Sequence, residues 1–123
     1  MRIYRIFVVL IFAISIAGCT SAPILNVNDE AVASPPGKTL TQDQVRDAIL
    51  RAGSALGWVM KEEKPGLIVG TLNLRQHTAV VDIPYSVKSY SIRYKSSVNL
   101  NEANGQIHKN YNGWIRSMTE LLR

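Results

Sequence analysis

The chain has a single cysteine, Cys19, among 123 residues. One thiol cannot form a disulfide within the chain, so no disulfide framework stabilises this fold. Histidine is almost as scarce, with only His77 and His108. Neither histidine has a second metal-ligating residue three or four positions away, which is the spacing that places two ligands together on a helix. The sequence therefore predicts no metal site and no cofactor.

Motifs for catalysis are also missing. The chain contains no Gly-x-Ser-x-Gly turn, which would present a nucleophilic serine, and no glycine-rich phosphate loop. Its nine acidic residues are not spaced to place two carboxyl groups across one cleft, as glycoside hydrolysis requires. The sequence therefore predicts a protein that is not an enzyme. The alternative is a small hydrolase that uses His108 and a nearby acid.

A long apolar run lies near the N-terminus. Arg2 and Arg5 precede it, Ile6–Ile14 is unbroken, and small residues follow up to Gly18. A basic start, an apolar run and a small-residue end are typical of a secretory signal peptide. The run is shorter than the roughly 20 apolar residues of a membrane-spanning helix. We therefore expect residues 1–18 to be a signal peptide that is removed on export.

Cys19 follows this run directly, in the sequence Ile16-Ala17-Gly18-Cys19. This stretch resembles the lipobox of bacterial lipoprotein precursors, and the resemblance covers residues 1–19 only. It implies that a diacylglyceryl group is attached to the Cys19 sulfur and that the new amino terminus is acylated. Two or three acyl chains hold a protein stably on a membrane, whereas one chain binds only marginally. The alternative is an ordinary signal peptide with an unrelated cysteine near its cleavage site.

The residue after Cys19 bears on localisation. In many Gram-negative lipoproteins, a residue other than aspartate at this position favours the outer membrane, and Thr20 is such a residue. The resemblance therefore implies an exported protein anchored by lipid in the outer membrane, facing the periplasm. Without Arg2 and Arg5, the 14 basic residues become 12 against 9 acidic residues, a formal charge of +3. This charge is too small to predict nucleic-acid binding.

The mature chain divides into two parts by composition. Residues 19–38 contain three prolines and Gly37 and show neither helical nor strand periodicity. This composition predicts a flexible tether, which follows the cysteine that the lipobox resemblance implies is lipidated. Residues 39–123 are predicted to form a single folded domain, which hangs near the membrane on that tether.

The domain alternates between helical and strand patterns. Thr41 and Gln44 have the spacing of a capping box at the start of a helix, and Gly57 ends it. Between residues 58 and 98, apolar and polar residues alternate with a period of two, which predicts four antiparallel strands with one buried face. A last helix is expected to be capped by Asn110. The predicted fold class is α+β: helix, four-stranded antiparallel β-meander, helix, with both helices packed on one face of the sheet.

The other face of the predicted sheet is polar and basic. Asn73, Arg75, Arg93 and Lys95 lie on it if the strands pair in register, and they form the candidate binding face. The alternative is an ordinary solvated sheet surface. We therefore expect a lipid-anchored binding or assembly module whose partner is the membrane and an envelope protein or an anionic glycan or lipid. A structural or stress-related lipoprotein without a specific ligand is the second alternative.

Overall fold

A computed structural model describes residues 20–123. The predictions of a signal peptide over residues 1–18 and of lipid attachment at Cys19 therefore lie outside the described residues. The strands are β1 (Ser21–Pro23), β2 (Val27–Ala31), β3 (Val59–Lys64), β4 (Leu67–Leu74), β5 (His77–Pro84), β6 (Ser89–Val98) and β7 (Gln106–His108), and the helices are α1 (Gln42–Ala55) and α2 (Lys109–Leu121). Neither helix within this part of the chain has the length and the apolar composition that crossing a membrane requires.

The strands form two antiparallel sheets. Five of them make the larger sheet, in the order β2-β6-β5-β4-β3, and β1 pairs with β7 in a separate two-stranded sheet. Short turns connect β3 to β4 and β4 to β5, where Leu74 pairs with His77 across a two-residue turn. Successive side chains of a strand point to opposite faces of the sheet. One face of the larger sheet is therefore buried, and its central residues are Ile68, Leu72, Val81, Ile83 and Ile92.

Helix α1 begins and ends where the sequence indicates. The Gln44 amide donates to the Thr41 hydroxyl at 3.1 Å, and the Gln44 side chain accepts from the Thr41 amide at 2.9 Å. This reciprocal pair is the predicted capping box, which is confirmed. Gly57 follows the helix with a φ of +88°, the left-handed conformation that glycine adopts without a steric penalty. The helix buries Val45 and Ile49 against the sheet.

Helix α2 completes the core from the C-terminal side. It buries Tyr111, Ile115 and Met118, which are fully enclosed together with inward-facing residues of the larger sheet and of α1. The predicted cap at Asn110 is wrong. His108 is the N-cap, because its Nδ1 accepts a hydrogen bond from the Asn110 amide at 3.2 Å.

The predicted fold class, α+β with a helix, a four-stranded meander and a helix, is wrong. Over residues 20–123 the chain is mostly β, with seven strands in two antiparallel sheets. The difference lies mainly in the segment expected to be a flexible tether, which contributes β1 and β2. These strands lack an alternating pattern because they are short and β2 is irregular: Asp29 has a φ of +49° and the register shifts between Val27 and Glu30. Tertiary pairing therefore forms them, and local sequence does not indicate it.

Candidate functional site

The candidate site is the face of the larger sheet that points away from α1 and α2, which we call the outer face. Strand register aligns its side chains in rows across β3, β4, β5 and β6. One row joins Val59, Thr71 and Val80, and the next joins Lys61, Val69, Asp82 and Arg93. The residues of β5 on this face, such as Val80 and Asp82, remain partly exposed although β5 is the central strand. The helices therefore cover only the opposite side of this sheet.

The outer face is more apolar than the sequence analysis expected. Val59 is 66% exposed and Val98 is 56% exposed. Val69 and Val80 lie between them and are half-buried. Scattered apolar side chains on a surface need no explanation, but a connected apolar strip rimmed by polar residues is typical of an interaction surface. These four valines form a strip over four strands, with Val59 and Val80 in one row and Val69 and Val98 in the rows on either side of it.

Charged groups lie beside this strip. The Lys95 ammonium is 3.6 Å from Asp82 Oδ1, an ion pair that is too long for a hydrogen bond. This carboxylate oxygen is buried and has no hydrogen-bond partner among residues 20–123. Arg93 pairs in register with Asp82, yet within the described residues its guanidinium forms no ion pair within 4.0 Å. Arg93 is exposed and is thus a cation available to an acidic group outside the chain.

The four residues of the predicted binding face do not all lie together. Arg93 and Lys95 both lie on β6 near Asp82: Arg93 pairs with it in register, and Lys95 forms the ion pair. Asn73 lies at the end of β4, where its Oδ1 accepts from the Thr78 hydroxyl at 2.9 Å. Arg75 occupies the turn after β4, with a φ of +58°. The structure therefore separates Arg75 from the other two cations and places it at one end of the molecule.

A second surface was missed by sequence reasoning. A cleft of about 400 Å³ lies between β2 and α2, and it is lined by Leu25, Val27, Glu30, Arg116 and Arg123, among others. Acidic and basic side chains both line the cleft: Arg123 forms an ion pair with Glu120 at 3.3 Å, and Glu30 lies in the same lining. The cleft is not predictable from the sequence, because the composition around β2 is typical of a flexible tether.

One buried polar side chain was also missed. Asn112 on α2 is only 4% exposed. Its Oδ1 accepts from the Leu25 amide and its Nδ2 donates to the Pro23 carbonyl, both at 2.9 Å. Asn112 thereby satisfies two backbone groups where the chain leaves β1. An asparagine on an otherwise apolar helical stripe is the one signal that predicts such a contact, since buried amides are rarely left without partners.

Burial raises the pKa of three tyrosine hydroxyls. Burial raises the pKa of Tyr111 and Tyr90, so both hydroxyls stay protonated at neutral pH. Burial also raises the pKa of Tyr85, whose hydroxyl donates to Glu62 Oε2 at 3.2 Å. A protonated phenol is neither a base nor a nucleophile. His108, the residue of the hydrolase alternative, uses its Nδ1 as the N-cap of α2.

The outer face presents a strip of valines and two cations, Arg93 and Lys95. Such a surface can bind a partner that has both apolar and acidic groups. Among residues 20–123, no three His, Cys, Asp or Glu side chains come close enough together to hold a metal ion. Comparison with known proteins found no match for this chain among protein-family models, curated proteins or solved structures.

Proposed function

We propose that this protein is a lipid-anchored binding or assembly module of a bacterial envelope, exported and held by acyl chains on Cys19. It lies on the outer membrane, facing the periplasm, and its function is non-catalytic. Its partner is an envelope protein or an anionic glycan or lipid, which it contacts through the outer face. The resemblance of Ile16-Ala17-Gly18-Cys19 to a lipobox supports the anchor.

The observation that carries the binding role is the exposure of Val59 and Val98 on the same sheet face as the unpaired cation of Arg93. Each exposed valine keeps apolar surface in water, and covering it gains roughly 25 cal/mol per Å². Arg93 adds preference for an acidic partner, because a guanidinium binds carboxylate or phosphate oxygens in a fixed planar geometry. Apolar contacts would thus supply affinity, and the cation would supply selectivity.

Site-specific photocrosslinking in cells tests this role. A photoreactive residue replaces Val59 or Val98 on the outer face, and Ser54 on the exposed side of α1 in the matched control. We expect a crosslinked product of discrete mass from both valine positions and none from Ser54. Arg93→Glu should reduce the yield of that product severalfold without changing the expression level. Equal products from Ser54, or none from either valine, would count against the outer face as a binding site.

The anchor is tested separately. Wild-type protein should incorporate labelled fatty acid and sediment with membranes, and Cys19→Ala should do neither, because it lacks the sulfur to which the lipid is attached. Incorporation of the label into Cys19→Ala at the wild-type level would overturn the assignment of the anchor. This outcome does not depend on the crosslinking result.

A further inference from the structure

The first described residue is bonded to the folded domain. The Lys109 amide, at the start of α2, donates to the Thr20 carbonyl at 2.8 Å. Ser21 then pairs with His108, and the Ile24 amide donates to the Gly105 carbonyl at 2.9 Å. Thr20 is therefore held at the N-terminal end of α2 by consecutive backbone hydrogen bonds.

A second group of bonds connects this point to the turn between β4 and β5. The His108 amide donates to the Leu100 carbonyl at 2.8 Å. The side chain of Asn99, the residue before Leu100, donates to the Gln76 carbonyl at 2.7 Å, and the Asn99 carbonyl lies 2.7 Å from His77 Nδ1. Thr20, the start of α2 and the β4–β5 turn thus share one end of the molecule, which we call the Thr20 end.

The Thr20 end carries exposed cations and exposed apolar surface. Arg75 projects from the β4–β5 turn, and Lys109 lies beside Thr20; both are exposed. Leu74 is 45% exposed. Glu102, in the loop before β7, is the acidic residue at this end. Two cations against one carboxylate, with an exposed leucine, fit a negatively charged surface that has an apolar interior.

We propose that the Thr20 end rests on an anionic lipid surface and fixes the orientation of the domain. This inference rests on the proposed lipid at Cys19, which is bonded to Thr20 and whose Cα must lie about 3.8 Å from that of Thr20. Head-group charge attracts basic residues within a Debye length of about 8–10 Å. A lipid one residue from Thr20 brings Lys109, whose amide donates to the Thr20 carbonyl, into that range and turns the Thr20 end, with Arg75, toward the same surface. A 19-residue flexible tether would instead place the domain about 25 Å away.

The orientation has a consequence for the outer face. Strand β5 runs from His77 at the Thr20 end to Pro84 at the opposite end, a length of about 25 Å at 3.3 Å per residue. With the Thr20 end on the membrane, the strands of the larger sheet stand away from the lipid. The outer face then lies to the side, open to a partner in the aqueous compartment.

Depth measurements on the lipidated full chain test this orientation. Since Cys19 is the only cysteine, lipidation blocks the single native thiol, and an introduced cysteine carries the fluorophore alone. Asn110→Cys places the probe at the Thr20 end, and Val87→Cys places it at the opposite end. The proteins are reconstituted into vesicles of phosphatidylethanolamine and phosphatidylglycerol that contain a lipid-borne quencher. We expect strong quenching of the probe at position 110 and at least threefold weaker quenching at position 87.

Charge removal supplies the matched comparison. Arg75→Gln with Lys109→Gln should weaken quenching at position 110 severalfold, while Lys64→Gln with Lys88→Gln at the opposite end should leave it unchanged. Similar quenching at both probe positions in protein that floats with vesicles would overturn the orientation and leave the proposed function standing. Labelling of the wild-type protein by a thiol reagent, with failure to float, would show a free Cys19. That result would overturn the proposed anchor and this inference with it.

Discussion

At the scale of single residues, the Asn112 side chain forms the hydrogen bonds that a partner strand would form if β1 continued. Between β1 and β2 the chain leaves its partner strand, and the backbone groups of Pro23 and Leu25 point at α2. A buried backbone group without a partner costs about 1–3 kcal/mol. The amide of Asn112 presents one donor and one acceptor at 2.9 Å, so it satisfies both groups at once.

Asn112→Ala should therefore lower the free energy of unfolding by about 1–3 kcal/mol for each group left without a partner. Urea unfolding measures the change, and Asn110→Ala, an exposed residue two positions earlier, serves as the control within about 0.5 kcal/mol of wild type. Hydrogen exchange should show faster exchange of the Leu25 amide in Asn112→Ala only. A Leu25 amide as slow as in wild type would mean that this hydrogen bond does not protect it.

At the scale of elements, the ends of the two helices are specified differently. Helix α1 ends at a glycine that has a left-handed backbone, and the Gly57 amide donates to the Ser54 carbonyl at 3.1 Å. Helix α2 contains Gly113 near its start, where an added methyl group would meet no heavy atom within 4 Å. The same substitution should therefore have opposite effects at the two positions.

Gly57→Ala should destabilise the protein by about 1–2 kcal/mol, the cost of a left-handed conformation for a residue with a Cβ. The nearest atom to that Cβ, Leu72 Cδ1 at 3.8 Å, is at ordinary contact distance, so the loss reports backbone strain and not a clash. Gly113→Ala should stabilise it by up to about 1 kcal/mol through helix propensity. Chemical denaturation measures the free energy of unfolding of both variants. An unchanged value for Gly57→Ala would contradict the left-handed backbone conformation of Gly57.

Local signals explain which elements could be predicted from the sequence. The capping box at Thr41 and Gln44 depends on residues three positions apart, and it was predicted correctly. The alternation on β4, on β5 and on β6 up to Tyr94 likewise indicated which side of each strand is buried. The register shift between Val80 and Val81 reverses it beyond that point, so that Val98, expected inside, is exposed. Strands β1, β2 and β7 have three to five residues each, and β1 and β2 pair with partners 58 or more positions away. Nothing local in the sequence reports such pairing, so the fold class was missed.

The candidate site, too, could be predicted only where local alternation determines which face of a strand a residue occupies. Alternation places Arg93 and Asp82 on one face, and both lie there. The exposed strip through Val59 and Val98 was not foreseen, because its formation depends on the register of four strands and on the absence of a helix over that face. Arg75 was misplaced for a different reason: a residue at a two-residue turn projects from the end of a sheet and not from its face.

At the scale of the whole molecule, the segment over residues 20–32 belongs to the fold and not to a linker. It supplies β1 to the small sheet and β2 to an edge of the larger sheet, and its half-buried Ile24 and Leu25 pack against the core. Of the described residues expected to form a tether, 33–38 are the longest stretch that lacks strand structure and is exposed throughout. With the lipid anchor that we propose at Cys19, such a domain would have little freedom to reorient.

Trypsin tests how this segment is held. Lys38 is exposed between β2 and α1, so its bond to Thr39 is an accessible cleavage site. Cleavage there should leave residues 19–38 attached to residues 39–123, because β1–β7 pairing, β2–β6 pairing and the Asn112 amide all connect the two fragments. The nicked protein should therefore migrate as one species under native conditions and separate only in denaturant.

The same experiment on membranes separates a paired segment from a loose tether. After cleavage at Lys38, residues 39–123 should stay in the membrane fraction and enter the supernatant only when urea unfolds the domain. Lys38→Gln, which removes the site, controls for cleavage elsewhere and should stay intact under the same treatment. Prompt release of residues 39–123 into buffer would show that hydrogen bonds at β1 and β2 do not hold the segment. The orientation that we propose for the domain at the membrane would then be wrong as well, because it depends on those hydrogen bonds.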